Sequence, residues 1–403
     1  MIHSFEIKNF YSFAKKASVS FEVNNKAPNN NGYMNTVFGN RVSKIETIIG
    51  ANASGKTNLL KVLPFIRWFI CESFNLNPDM PLLVKPFMFG DYKNLPIELS
   101  VEFELNNEIY KYILKLNQDK IIFEELKLRN KTKERLTYKS LFKREWNEKT
   151  NKYTFSGKNY GLQKSFENTL RTNASVISVG VRFNHKLSTE IRNYWIKMNT
   201  NVDEAGWIGD SVMPNQFALF GEAFNFLKNN QEIRTKLEKL LTKFDIGLEE
   251  LEFKEVVNQM GTYLDVQGVH QYKGSKVNLR FEYESSGTKQ MILLLRKILV
   301  VLNYGGIAVI DEMDSSLHPE MVLGLVDLFI DEETNPTHAQ LIFSTHSLLV
   351  LNKLDKYQII FTEKSDEGIT ETWRLDEIED VRSDDNFYAK YIAGAYGGIP
   401  KIN

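Results

Sequence analysis

From Ile97 to Leu105, apolar Ile97, Leu99, Val101, Phe103 and Leu105 alternate with Glu98, Ser100, Glu102 and Glu104. A period of two puts one face on a core and the other in solvent, so the segment reads as a half-buried strand. Asn106-Asn107 supplies a turn, Ile109 to Leu116 returns, and Ile121 to Leu128 follows, which predicts an antiparallel meander. Phe5 to Phe13 and Ala17 to Val23 read as two earlier strands, followed by an Asn-rich loop from Asn24 to Asn35. Asn77 to Pro96 carries four prolines and is expected to be irregular. Ser175 to Phe183 reads as a further strand.

The period then changes. Gln216 to Lys228 and Ile233 to Phe244 are predicted helices; in the second, Ile233, Leu237, Leu240, Leu241 and Phe244 recur at helical spacing. Leu251 to Val257, Thr262 to Val266 and Val277 to Tyr283 read as strands. The last third alternates: helix Lys289 to Leu302, strand Ile307 to Ile310, helix Glu320 to Phe329, strand Leu341 to Ser344, helix Leu348 to Leu354, strand Gln358 to Thr362. Such alternation predicts a parallel sheet covered on both faces.

Composition narrows the class. At 403 residues the chain has room for one large core or two to three lobes, and 25% charged residues with a net charge of −1 describe an ordinary globular protein. The longest apolar run, Met291 to Leu302, is broken by Arg296 and Lys297 and falls short of the roughly 20 residues needed to span a bilayer. The N-terminus lacks the build of a signal peptide, so a cytoplasmic location is expected. A single cysteine, Cys71, excludes an internal disulfide and a Cys-based zinc site. Charge is uneven. Lys127 to Lys164 holds twelve basic against three acidic residues, and Glu363 to Asp385 holds ten acidic against three basic. The basic stretch, dotted with Tyr138, Phe142, Trp146, Tyr153, Phe155 and Tyr160, fits either a nucleic-acid grip or a set of lysine-protected strand edges.

The candidate chemistry starts at Gly50-Ala51-Asn52-Ala53-Ser54-Gly55-Lys56-Thr57, which satisfies GxxxxGK[ST] between an apolar strand, Ile45 to Ile49, and a helix-like run, Leu59 to Phe69. Glycines allow backbone N–H groups to wrap phosphates, Lys56 reaches the β- and γ-phosphates, and the Thr57 hydroxyl ligates Mg²⁺. Gly50, Asn52, Ser54, Gly55, Lys56, Thr57 and Asn58 are therefore candidate contacts to ATP. Downstream, the strand Ile307 to Ile310 ends in Asp311-Glu312: Asp311 is the candidate metal ligand, and Glu312 the residue that polarises water. Ser285-Ser286-Gly287 opens a helix, where a cap and an anion site share one geometry. Asp314-Ser315-Ser316-Leu317-His318-Pro319 follows the paired acids, and His346 ends the strand expected beside them.

In chain order (phosphate loop, distant Ser-Ser-Gly, Asp-Glu strand, Ser-Leu-His-Pro, strand-end His) the motifs resemble those of the ABC-type ATPases of the RecF/SMC group, and within it the AAA-annotated, OLD-like ATPases. The Ser285-to-Thr288, Leu317-to-Pro319 and Ser344-to-His346 runs carry the resemblance, with Ile7-Lys8-Asn9-Phe10-Tyr11-Ser12-Phe13 similar to the group's first strand, where Tyr11 replaces a usual Arg. Asn386 to Tyr391 and Gly394 to Gly397 resemble members encoded beside a Toprim or RloB-like nuclease. The resemblance implies an α/β P-loop NTPase of ABC-ATPase type, with a mixed sheet, an antiparallel β lobe and an inserted helical segment. It divides the chain into 1–128, 129–284 and 285–403. It also implies a head-to-tail homodimer in which Ser285 and Gly287 of one subunit meet the γ-phosphate held by Lys56 of the other, with Glu312, His346 and Lys56 catalytic. The cofactors implied are ATP and Mg²⁺, and the role is that of a defence ATPase controlling a separate nuclease or toxin. The alternatives are a DNA-repair-type ATPase that binds DNA directly and a transporter's nucleotide-binding subunit. A nuclease centre within the chain is not expected, because Glu363 to Asp385 lacks a Glu followed by Asp-x-Asp. The Gln of the usual Q-loop has no counterpart; its place falls near Arg182 and Asn184.

Overall fold

A computed structural model describes residues 1–131, 136–202, 216–244, 247–258, 261–315 and 317–399. Ser316, Lys133 and Arg135, named above or within the basic stretch, lie outside them, as does the side chain of Lys131. The protein is a mixed α/β fold with antiparallel and parallel sheets. The predicted meander extends further than its alternation indicated: seven antiparallel strands run in the order Lys152–Ser156, Leu136–Asn147, Ile121–Lys131, Glu108–Leu116, Ile97–Leu105, Ile2–Lys8, Ala17–Ser20. The strand expected from Phe5 to Phe13 stops at Lys8, because Asn9 and Tyr11 take φ of 53° and 50° and turn the chain.

A six-stranded sheet carries the phosphate loop. Its order is Asn199–Thr200, Ile307–Ile310, Gln340–Ser344, Ile45–Ile49, Ile359–Lys364, Thr370–Arg374. The first five are mutually parallel, and the last, absent from the sequence reading, returns antiparallel. Apolar runs buried on both faces split by parity. Ile48, Val309, Ile342 and Ile360 pack toward the seven-stranded sheet and the helix Val62–Glu72. Ile49, Ile310, Phe343 and Phe361 pack instead with the helices Ser286–Tyr304 and Pro319–Ile330. Phosphate loop, Asp-Glu pair and His346 therefore share one carboxyl edge of one sheet. A three-stranded antiparallel sheet, Leu248–Asn258, Gly261–Tyr272 and Ser275–Arg280, leads into the Ser286–Tyr304 helix. Among the described residues, no helix is long and apolar enough to cross a membrane.

Two expectations are corrected. Ser175 to Phe183 is no strand: Val176–Arg182 is a helix, N-capped by the Ser175 hydroxyl, which accepts from Ser178 N–H at 2.8 Å. Its β-branched residues favour strands in isolation, but Val176, Ile177 and Val179 bury in the core shared with the Val62–Glu72 helix, and packing overrides propensity. The second concerns the basic stretch. Phe142, Tyr153, Phe155 and Tyr160 are buried core residues, and Arg144 is fully buried against Glu124, so these side chains face away from any polyanion. Arg129 is likewise buried and paired with Glu22 and Glu102.

Candidate active site

Gly55 precedes the first helical turn with φ 109°, and a Cβ there would collide with the Thr370 side chain. Only glycine fits both the backbone and the contact. The loop is tied down at several points. Ser54 Oγ and Thr362 Oγ1 lie 2.7 Å apart, and Thr370 Oγ1 donates to Ser54 O at 2.9 Å. Ser12 Oγ accepts from Asn58 Nδ2 at 2.9 Å, and Ala51 N–H donates to Gly398 O at 3.1 Å. Neighbouring strands and the C-terminal segment thus shape the loop.

Lys56 is buried and folds back, donating to the carbonyls of Gly50 and Ala51 at 2.9 and 3.1 Å. Burial pulls its ammonium below the ordinary lysine range, opposed by Asp311, Glu312 and Asp314.

The acids converge from the adjoining strands. Asp311 Oδ2 accepts from Thr57 Oγ1 at 2.7 Å, and Asp311 Oδ1 accepts from the Ser344 hydroxyl. Thr57 and Asp311 therefore offer adjacent hard oxygen donors that suit Mg²⁺. Glu312 is exposed, with its N–H on Ser344 Oγ at 2.8 Å, and sits in the left-handed region at φ 47°. A glutamate there is strained by an order of 1 kcal/mol, which the bonds Met313 N–H to Ser344 O and Ser315 N–H to Glu312 O hold in place. Asp314 Oδ1 accepts from Thr345 Oγ1 at 2.8 Å and from His346 N–H at 3.0 Å, fixing the turn that presents His346.

Lys56, Thr57, Glu312 and His346 share one cavity of about 160 Å³, walled by Asn52 to Asn58 together with Glu312, His346 and Lys364; Gly50 and Asp311 adjoin these residues without lining it. Ser285, Ser286 and Gly287 are not among its walls. Ser285 caps its own helix, accepting from Thr288 N–H at 3.0 Å, while Ser285 and Ser286 stay exposed beside Tyr283, itself 71% exposed. Arg182 and Asn184 are also absent from the cavity, on and just past the end of the Val176–Arg182 helix.

A family profile described as "AAA domain, putative AbiEii toxin, Type IV TA system" matches residues 47–352, about three quarters of the chain. The chain belongs to this family. The matched span of this AAA domain takes in the phosphate loop, Asp311-Glu312 and His346. Comparison with curated proteins finds none that matches. Among solved structures, an SMC head bound to the C-winged helix domain of ScpA is 16% identical, over 93% of this chain and 99% of that one, with a TM-score of 0.48. The SMC head domain from Thermotoga maritima is 13% identical over 93% and 98%, with a TM-score of 0.42. A coiled-coil-extended SMC head bound to the C-terminal domain of ScpA, derived from Pyrococcus furiosus, is 15% identical over 93% and 97%, also at 0.42.

Several residues of the AAA domain's site escaped the sequence reading. Ser344 bridges the Asp311 carboxylate and the Glu312 N–H, a role that its place in the Ser344-to-His346 run does not reveal. Asn201 exchanges two hydrogen bonds with the Asp311 backbone: Asp311 N–H donates to Oδ1 at 2.7 Å, and Nδ2 donates to Asp311 O at 2.9 Å. The two-residue strand Asn199–Thr200 sets this up, pinned by Lys297 Nζ on Thr200 O at 2.6 Å. Nothing local marks Asn201, because its partner lies 110 positions away. Asn201→Ala is expected to loosen the Asp311 carboxylate and slow steady-state ATP turnover about tenfold, while the apparent Mg²⁺ requirement rises. Turnover and metal titration equal to wild type would show that the Asn201 clamp has no functional weight.

Proposed function

We propose that the AAA domain is an Mg²⁺-dependent ATPase that works as a head-to-tail dimer and controls a separate nuclease or toxin partner. The observation that carries the ATPase reading is the shared cavity: the phosphate loop, Glu312 and His346 line it together, and Thr57 in its wall is hydrogen-bonded to Asp311 behind it. ATP phosphates enclosed by the loop draw Lys56 from the Gly50 and Ala51 carbonyls. A bound Mg²⁺ at Thr57 and Asp311 would neutralise charge on the phosphate oxygens. Glu312 orients and deprotonates the attacking water, and His346 contacts the terminal phosphoryl group from the next strand.

The dimer reading rests on the Ser285–Gly287 segment, which opens a 19-residue helix, faces solvent and does not wall its own subunit's cavity. A second subunit's γ-phosphate gives those outward N–H groups and hydroxyls a ligand. The toxin and TA system in the family's description support a defence role for the pair.

Mixing two inactive variants tests the arrangement. Lys56→Ala removes the phosphate cation, and Ser285→Asp keeps the helix cap while setting negative charge against phosphate. Each alone is expected to lose ATP turnover, and their mixture is expected to recover one working pocket per heterodimer, approaching a quarter of wild-type activity. Inert mixtures with demonstrable heterodimers would overturn the shared pocket, and a monomer turning over at full rate would do the same.

A further inference from the structure

We propose that Lys364 is a second phosphate-binding cation of the nucleotide pocket, acting on the α- and β-phosphates from the side opposite the Asp311–Glu312 corner. The inference rests on the nucleotide reading above. It concerns a residue beyond the matched span of 47–352.

Three independent features aim Lys364 at the loop. The strand Ile359–Lys364 lies parallel beside the phosphate-loop strand, with Phe361 level with Ile49, so Lys364 reaches past the carboxyl edge to the height of the loop itself. Alternation then selects its face. Thr362, two residues earlier, turns its hydroxyl to Ser54 of the loop, whereas Glu363 between them turns its carboxylate to Gly398 N–H at 2.9 Å. Lys364 therefore shares the loop-facing side with Thr362. Across the hairpin, Lys364 is in register with Thr370, whose side chain fills the space that a Cβ on Gly55 would need. The outcome is a lysine in the wall of the same cavity as Asn52 to Asn58.

Charge gives it work. Lys364 is exposed, and among the described residues it forms no ion pair or hydrogen bond, although acids surround it in sequence at Glu363, Asp366 and Glu367. A triphosphate carries about four negative charges and the pocket adds Glu312, so Mg²⁺ and Lys56 alone leave the site with excess negative charge. Tyr11, at the position where the resemblance places an arginine, does not supply the missing cation. Its ring packs edge-on against Phe10 with centroids 4.7 Å apart, under the Lys61 ammonium at 4.4 Å. The strand order sets which phosphates Lys364 meets. The Asp311–Glu312 and His346 strands lie on one side of the loop strand and the Lys364 strand on the other. The γ-phosphate belongs to the first side, leaving α and β to Lys364.

Affinity for ATP, ADP and inorganic tripolyphosphate, measured by calorimetry on wild type, Lys364→Ala and Lys364→Arg, tests this. Lys364→Ala is expected to weaken all three by about tenfold or more, with an unchanged ATP-to-ADP ratio and a flatter salt dependence. Lys364→Arg is expected to stay within about threefold of wild type, because the charge is kept. An unchanged melting temperature separates this loss from a structural one. Alanine affinities equal to wild type, alongside loss of binding in Lys56→Ala, would overturn the Lys364 assignment and leave the ATPase reading standing. Loss of ATP affinity with ADP affinity retained would overturn the α/β placement. A wild-type protein that binds none of the three would overturn both readings.

Discussion

Glu312→Gln is expected to bind ATP as tightly as wild type and to hydrolyse it at least about a hundredfold more slowly. The two side chains are nearly isosteric, and the backbone that holds position 312, with its N–H on Ser344 Oγ, is unchanged by the replacement. Only the carboxylate's ability to accept a proton from water is lost. Asp311 keeps its bonds to Thr57 and Ser344, and the phosphate loop is untouched, so the nucleotide still docks. A slow variant that keeps its ATP should also accumulate the closed dimer, which size-exclusion chromatography with and without ATP would reveal as an ATP-dependent shift. The strained φ of 47° at Glu312 adds weight, because a conformation of that cost is kept where a side chain must point in one direction. Single-turnover rates equal to wild type would remove Glu312 as the group that activates water.

The largest effect on stability is expected at Arg144. It is 0% exposed, and so is its partner Glu124. Arg144 also donates to Arg171 O at 3.0 Å and Ala174 O at 2.6 Å, while Glu124 accepts from Tyr112 OH at 2.7 Å and from Val176 N–H at 3.0 Å. The pair thus fastens the meander to the start of the Val176–Arg182 helix. Arg144→Ala would leave a carboxylate buried without its cation, at a cost of about 3–5 kcal/mol. In a chain of this size that corresponds to a drop of roughly 5 °C in melting temperature. The exposed neighbour Lys143 provides the contrast: Lys143→Ala should move stability by no more than about 0.5 kcal/mol. Removing both charges in Glu124→Gln with Arg144→Met should restore most of the loss, since the uncompensated charge is then gone. If Arg144→Ala melts like wild type but binds nucleic acid more weakly, the burial account fails and the surface reading of the basic stretch returns.

Arg144 also shows how a charge count misleads. Summing Lys and Arg from 127 to 164 treats each as solvent-facing. Strand parity separates them: Phe142 and Arg144 share one face, and Lys143 and Glu145 the other. Had the alternation that identified Ile97 to Leu105 been carried through this strand, Arg144 would have landed in the core with Phe142. The shift in pairing between Ser140 and Phe142 hides that parity, since Leu141 and Phe142 are both buried in succession.

The chain's own letters determine whatever is built from neighbouring residues. Eight consecutive positions suffice for the phosphate loop, because its shape follows from glycine conformations and the turn into a helix. A short apolar strand likewise suffices to deliver Asp311 and Glu312 to a sheet edge. The same holds for the Ser285 cap, the Pro319 helix start and the meander's alternation, each a matter of local backbone geometry. The tertiary structure alone decides what meets across the sheet. Asn201 on Asp311, Thr370 beneath Gly55, Lys364 in the cavity wall and Gly398 on Ala51 join positions separated by 110 residues or more. It also turns Val176–Arg182 into a helix against its β-branched composition, because burying that face outweighs the propensity of single residues. Local periodicity records the shape of a segment; it holds no record of which distant segment will pack beside it.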